Sequence, residues 1–215
     1  MLAVAHRAGN TAAGLRAALA TGVDLVEADV HLYRNALEVR HPRTVGRHHL
    51  WDRASGVTRR RDVVVPGLAD ILAVAAGDPR LMLDLKGTSR TVADRVAATL
   101  RERAPGVPVA VCTKAWPMLD AFSGHPDVRR IWSAANSLQL ARLRTRVRHE
   151  PAHGVSIRLR LLTPAVVAEL RETTGLVLAW PVDTDAALTR AERLGVSGVI
   201  SSNMPMLERL VARRG

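Results

Sequence analysis

Eight short apolar runs of strand character alternate with eight stretches of helical period along this 215-residue chain, and that alternation admits few architectures. The strand candidates are Leu2–Arg7, Leu25–Leu32, Leu81–Lys86, Val107–Lys114, Val128–Ser133, Gly154–Arg158, Leu176–Val182 and Val196–Ser201. The helix candidates are Thr11–Thr21, Leu68–Ala76, Arg90–Arg103, Pro117–Phe122, Ser137–Val147, Pro164–Glu172, Asp185–Arg193 and Met204–Ala212. Thr163-Pro164 and Asp183-Thr184-Asp185 are the clearest helix starts, each placing a capping side chain just ahead of the first turn. Eight such units fit an α/β fold, a (β/α)8 TIM barrel near the small end of its size range, with a doubly wound sheet as the competing arrangement. The barrel is favoured by where the polar residues fall. His6-Arg7, Asp29, Lys86, Lys114, Ser133, Trp180 and Ser201-Ser202-Asn203 all lie at or just past carboxyl ends of strands, the face on which barrels build their sites.

No Pro/Gly/Ser-rich linker or composition break divides the chain, so residues 1–215 are read as one domain. The first strand begins at Leu2 with no basic leader ahead of it, and no apolar stretch approaches the roughly 18 residues of a membrane span. The expectation is a soluble cytoplasmic protein. Cys112, the only cysteine, sits in an apolar run and reads as a buried structural thiol. The formal charge of +11 raises the question of a polyanionic partner. The arginines, however, are scattered among alanine, leucine and acids, and only Lys86 and Lys114 are lysines, which fits a composition bias better than a specific nucleic-acid site. The same charge leaves room for weak peripheral contact with an anionic membrane. The oligomeric state is not encoded in any feature of the chain.

One connection is unlike the others. Between Val30 and Pro66 lie a short extended piece, Leu37–His41, and then Arg43–Asp62, a polar, arginine-dense stretch containing His48, His49 and Trp51. It is read as a short basic loop over the catalytic face, with Arg59-Arg60-Arg61 suited to selecting substrates that carry a further anionic group. Trp51, Trp116 and Trp180 are each read equally as pocket walls or as packing residues.

The chemistry concentrates on two strands. Glu27 and Asp29, spaced i, i+2, point to one side of an extended segment, and Asp84-Leu85-Lys86 repeats the spacing on the next barrel strand. Carboxylates held that close repel one another unless a cation intervenes. Three hard oxygen donors suit Mg²⁺, Ca²⁺ or Mn²⁺ rather than zinc; the competing reading is structural pairing with Arg7, Lys86 or Arg40. His6 and His41 end extended segments on either side of the carboxylate strand, as a general acid and base would. Each adjoins an arginine, Arg7 or Arg40, and cations beside a metal site have a natural client in phosphate. Gly9 is read as a place where backbone amides approach that anion.

His6-Arg7-Ala8-Gly9-Asn10 resembles the His-Arg-Gly opening of the glycerophosphodiester phosphodiesterase family, and Glu27-Ala28-Asp29-Val30 resembles its Glu-x-Asp-Val metal motif. His41 falls where that family has its second histidine. Asp84-Leu85-Lys86 resembles the Glu-Leu-Lys motif, Val65-Pro66-Gly67-Leu68 the approach to the next helix, and Trp180 with Gly195–Ile200 the last two strands. The resemblance runs essentially from end to end. It implies a TIM barrel that hydrolyses glycerophosphodiesters to glycerol 3-phosphate and an alcohol. Glu27, Asp29 and Asp84 would hold a divalent metal, His6 and His41 would act as acid and base, and Arg7 and Lys86 would stabilise the phosphoryl oxygens. Lys114 and Trp180 are assigned to substrate binding. The substrate would be a small phosphodiester or a lysophospholipid.

Three positions depart from the family's pattern. Pro42 stands where Asp usually follows the second histidine, so a different group must orient that ring. Asp84 replaces Glu and is shorter by one methylene, and Asn203 replaces the Asp ahead of the final helix. Two alternatives therefore stand beside the leading one: a phospholipase D-like activity on lysophospholipids or sphingolipids, and a catalytically degenerate barrel that only binds phosphate.

Overall fold

The computed structural model describes residues 1–150 and 152–214. In chain order its strands are β1 (Leu2–Ala5), β2 (Leu25–Tyr33), β3 (Ala36–Val39), β4 (Arg43–Val45), β5 (His49–Asp52), β6 (Gly56–Arg59), β7 (Leu81–Leu85), β8 (Val109–Thr113), β9 (Val128–Ala134), β10 (Ala152–Arg158), β11 (Thr174–Trp180) and β12 (Gly198–Ser201). Its α-helices are α1 (Ala12–Ala20), α2 (Leu68–Ala75), α3 (Arg90–Arg103), α4 (Ser137–Val147), α5 (Pro164–Thr173), α6 (Asp185–Leu194) and α7 (Met204–Ala212). Strands β1, β2 and β7 to β12 pair in parallel in that order, and β12 returns to β1, closing an eight-stranded barrel. The predicted helix at Pro117–Phe122 is a 3-10 helix, Trp116–Phe122, starting with a proline in its first turn.

Alternation along the strands sorts the apolar residues into two cores. Val4, Leu25, Met82, Ala110, Cys112, Ile131, Leu178 and Ile200 point inward and fill the barrel. The remaining buried side chains pack between the strands and the outer helices. Because Leu25 points inward, so do Glu27 and Asp29 at i+2 and i+4; the same parity carries Met82 to Asp84 and Lys86. The buried acids are thus stacked above an apolar plug. The helices start where the sequence signalled: Thr163 and Thr184 hydroxyls accept the amides of Val166 and Ala187 at 3.3 and 3.2 Å. Among the described residues no helix is long and apolar enough to cross a membrane.

The stretch Arg43–Asp62, expected as a loop, is folded. Strands β4, β5 and β6 form an antiparallel three-stranded sheet, with Leu50 buried beneath it. Its short polar strands lack the two-sided apolar burial that marks the barrel strands, so period alone does not reveal them. Strand β3 pairs antiparallel with the end of β2 and leads the chain from the barrel mouth to this sheet.

Candidate active site

The strand β1 ends at Ala5, and Arg7 then takes a left-handed conformation with φ 61°. That turn aims the Arg7 amide N–H at Glu27 Oε2, 2.6 Å away. Two residues later Gly9 is buried against β2, where a Cβ would lie 2.8 Å from Ala28 Cβ and 2.9 Å from the Glu27 carbonyl oxygen. Gly9 therefore serves close packing against the strand that carries Glu27. Asn10 then clamps Asp29 from both sides: its amide donates to Oδ2 at 2.8 Å, and its oxygen accepts the Asp29 backbone N–H at 2.7 Å.

Glu27, Asp29 and Asp84 converge, and one oxygen of each lies within 4.8 Å of the others. Asp29 and Asp84 are register partners on adjacent parallel strands. The Lys86 ammonium contacts both Asp29 Oδ1 and Asp84 Oδ2, while the Arg7 guanidinium is 4.0 Å from Asp29 Oδ2. Asp29 Oδ1 is buried and meets that ammonium as an ion pair. Arg40 takes no part in this neutralisation. It is buried between Glu38, the Pro42 carbonyl and Thr44, and holds the start of the β4–β6 sheet.

One contacting lysine against three carboxylates leaves the cluster short of positive charge. Burial and then the Asp29 charge push Glu27 well above the usual carboxylate range. Asp29, although desolvated, is held below that range by Lys86 and Asn10. The Lys86 ammonium is stabilised in turn by Asp84 and Asp29 against its own desolvation and stays protonated.

His6 and His41 flank the acids. His6 Nδ1 is 3.0 Å from the Ser202 hydroxyl and its Nε2 is 4.0 Å from Glu27 Oε2. Burial, followed by the Arg7 charge, lowers its pKa to about 4, so the ring is neutral at neutral pH. Ser202 is itself fixed: Asp183 accepts its amide N–H at 2.7 Å and the Ser201 hydroxyl at 3.0 Å. His41 Nδ1 is paired with Asp52 Oδ2, and Asp52 Oδ1 accepts the Ala54 amide at 2.8 Å. Asp52 lies on β5, so the small sheet supplies the ring partner that Pro42 cannot. Asn203 caps α7 through the Met206 amide at 3.1 Å, a role an amide fills as well as a carboxylate.

These groups open into a cavity of about 870 Å³ at the carboxyl ends of the strands. Lys114 and Trp180 both line it, with the Lys114 ammonium 5.7 Å from the indole centroid. Arg158, from the end of β10, lies 6.0 Å from the same ring. Trp116 stacks 6.3 Å from Trp132 and donates to the Ser133 carbonyl at 2.9 Å, a packing role. The basic stretch contributes Arg43 and Thr44 to the cavity wall. Arg59, Arg60 and Arg61 line a separate depression with His48 and His49. Arg60 is turned inward onto Glu38 and the Tyr33 ring, 3.8 Å from its centroid.

No protein-family model matches the chain, and no curated protein matches it in sequence. Solved structures do. A protein from Silicibacter pomeroyi described as a glycerophosphoryl diester phosphodiesterase superposes with a TM-score of 0.80 at 19% identity, covering 100% of this chain and 94% of its own. A glycerophosphodiester phosphodiesterase from Thermotoga maritima gives 0.77 at 18% identity, covering 100% and 98%. An Oleispira antarctica phosphodiesterase in complex with the product sn-glycerol-3-phosphate gives 0.77 at 18% identity, covering 99% and 97%.

The fold is that of solved glycerophosphodiester phosphodiesterases. In this fold the structure gathers His6, Arg7, Glu27, Asp29, His41, Asp84, Lys86, Lys114 and Trp180 at one barrel mouth. Sequence reasoning missed Asn10, Asp52, Arg158 and Asp183. Asn10 carried a signal, an amide just past the first turn and able to bond a buried carboxylate. Asp52 carried none, because only the fold of the small sheet brings it to His41.

Proposed function

We propose that the chain is a metal-dependent glycerophosphodiester phosphodiesterase that releases glycerol 3-phosphate and an alcohol. The observation that carries this reading is the convergence of Glu27, Asp29 and Asp84 between two oriented histidines. The donor set fits a divalent cation: three convergent hard oxygens in a cluster short of positive charge. Mg²⁺, Ca²⁺ and Mn²⁺ share that preference. When bound, the cation supplies charge that offsets the carboxylates and polarises a phosphoryl oxygen.

The residues of the chain do the rest. His6, neutral and tethered through Nδ1, accepts the proton of the glycerol hydroxyl next to the phosphate. That oxygen bonds to phosphorus, the bond to the alcohol breaks, and the leaving oxygen takes a proton from His41 Nε2. Water then opens the cyclic phosphate with the two histidines in exchanged roles. Asp52 positions His41, as Ser202 positions His6. Arg7, with its guanidinium half exposed at the mouth, and Lys86 face the phosphoryl oxygens, while Lys114 and Trp180 wall the released group.

The test is hydrolysis of glycerophosphocholine, which carries the attacking hydroxyl, before and after exhaustive chelation, with His6→Ala as control. Activity should vanish on chelation and return with Mg²⁺, Ca²⁺ or Mn²⁺, and the variant should lose about 10²- to 10⁴-fold in kcat. Full activity after chelation would overturn the metal assignment.

A further inference from the structure

The β4–β6 sheet has two unlike faces. Antiparallel register places Arg43, Trp51 and Val57 in one row across the three strands and Val45, His49 and Arg59 in the next, all on the same face. The opposite face carries Leu50, which is buried, and Asp52, which meets His41. On the outer face Trp51, Val45 and Val57 are 41%, 48% and 64% exposed. With Val63 and Val64 just beyond, they make five of the six large apolar residues left exposed among the described residues. Such clustering marks an interaction surface.

The charge on this face is one-sided. Between Arg43 and Asp62 there are six arginines and two aspartates. Asp52 is turned inward to His41, and Asp62 lies 3.6 Å from Arg61. Arg43, Arg47, Arg53, Arg59 and Arg61 are exposed around the apolar rows. A depression of about 300 Å³, lined by His48, His49 and Arg59 to Arg61, opens beside them. An indole with aliphatic neighbours, ringed by guanidinium groups, matches the boundary between acyl chains and anionic headgroups, where the rings and methyls sink in and the cations stay at the phosphates. A second copy of this chain fits poorly, since it would bring two basic faces together. Nucleic acid would use the arginines and the indole but gain nothing from the valines.

We propose that the outer face of the β4–β6 sheet docks on an anionic lipid bilayer. Arg43 also lines the barrel cavity, so docking brings the cavity mouth to the headgroup layer. The inference does not depend on the hydrolytic reading, because its measurement needs no turnover.

The experiment is co-sedimentation with vesicles of phosphatidylcholine alone and of phosphatidylcholine and phosphatidylglycerol in equal parts, using wild type, Trp51→Ser/Val57→Ser and Arg59→Ala/Arg61→Ala. Wild type should sediment with the anionic vesicles only, and less so as salt rises. Each arginine near such a surface contributes a several-fold gain, so the arginine pair should weaken partitioning about thirtyfold, and the apolar pair at least about tenfold. All substituted side chains are exposed, and thermal melting confirms that the variants fold. Failure of wild type to sediment with phosphatidylglycerol, or variants that sediment equally with it, would overturn the proposal. So would a duplex DNA or RNA competitor that removes the protein from vesicles at lower concentration than added lipid.

Discussion

Asp52→Asn isolates the contribution of the small sheet to the chemistry. The substitution keeps the side chain's size and an oxygen for the Ala54 amide, which Asp52 Oδ1 accepts at 2.8 Å, but removes the charge that faces His41 Nδ1. A hydrogen bond to a charged group contributes about 1.5–3 kcal/mol. Side-chain exposures of 31% for His41 and 13% for Asp52 leave most of that intact. If the contact is realised in the transition state, its loss lowers kcat by about 10- to 150-fold, at 1.36 kcal/mol per tenfold. KM should change by less than about twofold, because Asp52 lies behind the ring rather than against substrate. Asp52→Glu should recover part of the rate. The decisive comparison is His41→Ala/Asp52→Asn against His41→Ala alone: a residue that acts only through His41 adds nothing once the imidazole is gone. Steady-state kinetics on glycerophosphocholine, whose aliphatic leaving oxygen needs a proton, reads wild type and all four variants. Wild-type kcat in Asp52→Asn, or fully additive losses in the double variant, would refute the positioning role. The Ala54 amide and then His41 hold the Asp52 carboxyl below its ordinary range, so the contact should survive mild acid and fail only as pH falls through that lowered value.

Other outcomes follow from the same geometry. Glu27→Gln should abolish Mn²⁺ binding by calorimetry while leaving the metal-free protein at least as heat-stable, because the carboxylate it removes is buried beside Asp29; unchanged Mn²⁺ affinity would contradict its role as ligand. Asp84→Glu should keep metal binding, since the longer side chain still presents a carboxylate to Glu27 and Asp29; complete loss of affinity would count against Asp84. His6 and His31 are both held at about 4, by burial first and then by Arg7 or Arg40, against an ordinary 6.5. Between those values the unfolded chain binds more protons than the folded one, so stability should fall as pH drops through the window, by at most about 3 kcal/mol per ring. Urea midpoints that stay flat between pH 6.5 and 4 would refute this. Gly9→Ala should cost about 1–3 kcal/mol by forcing a methyl into the Ala28 and Glu27 backbone contact, read as a lower melting temperature; an unchanged melt would show that β2 yields there.

Much of the barrel was legible because its strands are apolar on both faces and its helices carry caps. The i, i+2 parity of Glu27, Asp29, Asp84 and Lys86 is a property of extended backbone, so their shared inward direction is written in the sequence. Parity does not reveal which cation meets which acid. Arg40 adjoins His41 in sequence yet points away to Glu38, whereas Lys86 reaches both Asp29 and Asp84. The β4–β6 sheet was illegible for a related reason: one face holds a single buried leucine and the other is exposed, so its strands look like polar loop. The ring partner of His41 was hidden with it, because eleven residues and a hairpin separate Asp52 from the histidine it contacts. The arginines at 59 to 61 illustrate the converse. Their clustering in sequence suggested a shared task, but Arg60 packs on Tyr33 while Arg59 and Arg61 face outward, away from the barrel cavity.

The most direct measurement of the central claim is the identity of the phosphorus-containing product. Wild-type protein with Mg²⁺, Ca²⁺ or Mn²⁺ is incubated with glycerophosphocholine, glycerophosphoglycerol and a lysophospholipid in turn, and the products are followed by phosphorus NMR beside a chelated control. The expected result is metal-dependent appearance of glycerol 3-phosphate, through a transient cyclic phosphate, from at least one of the glycerophosphodiesters. Phosphorylated alcohol as the product, or no turnover of any substrate under metal conditions that saturate Glu27, Asp29 and Asp84, would contradict it.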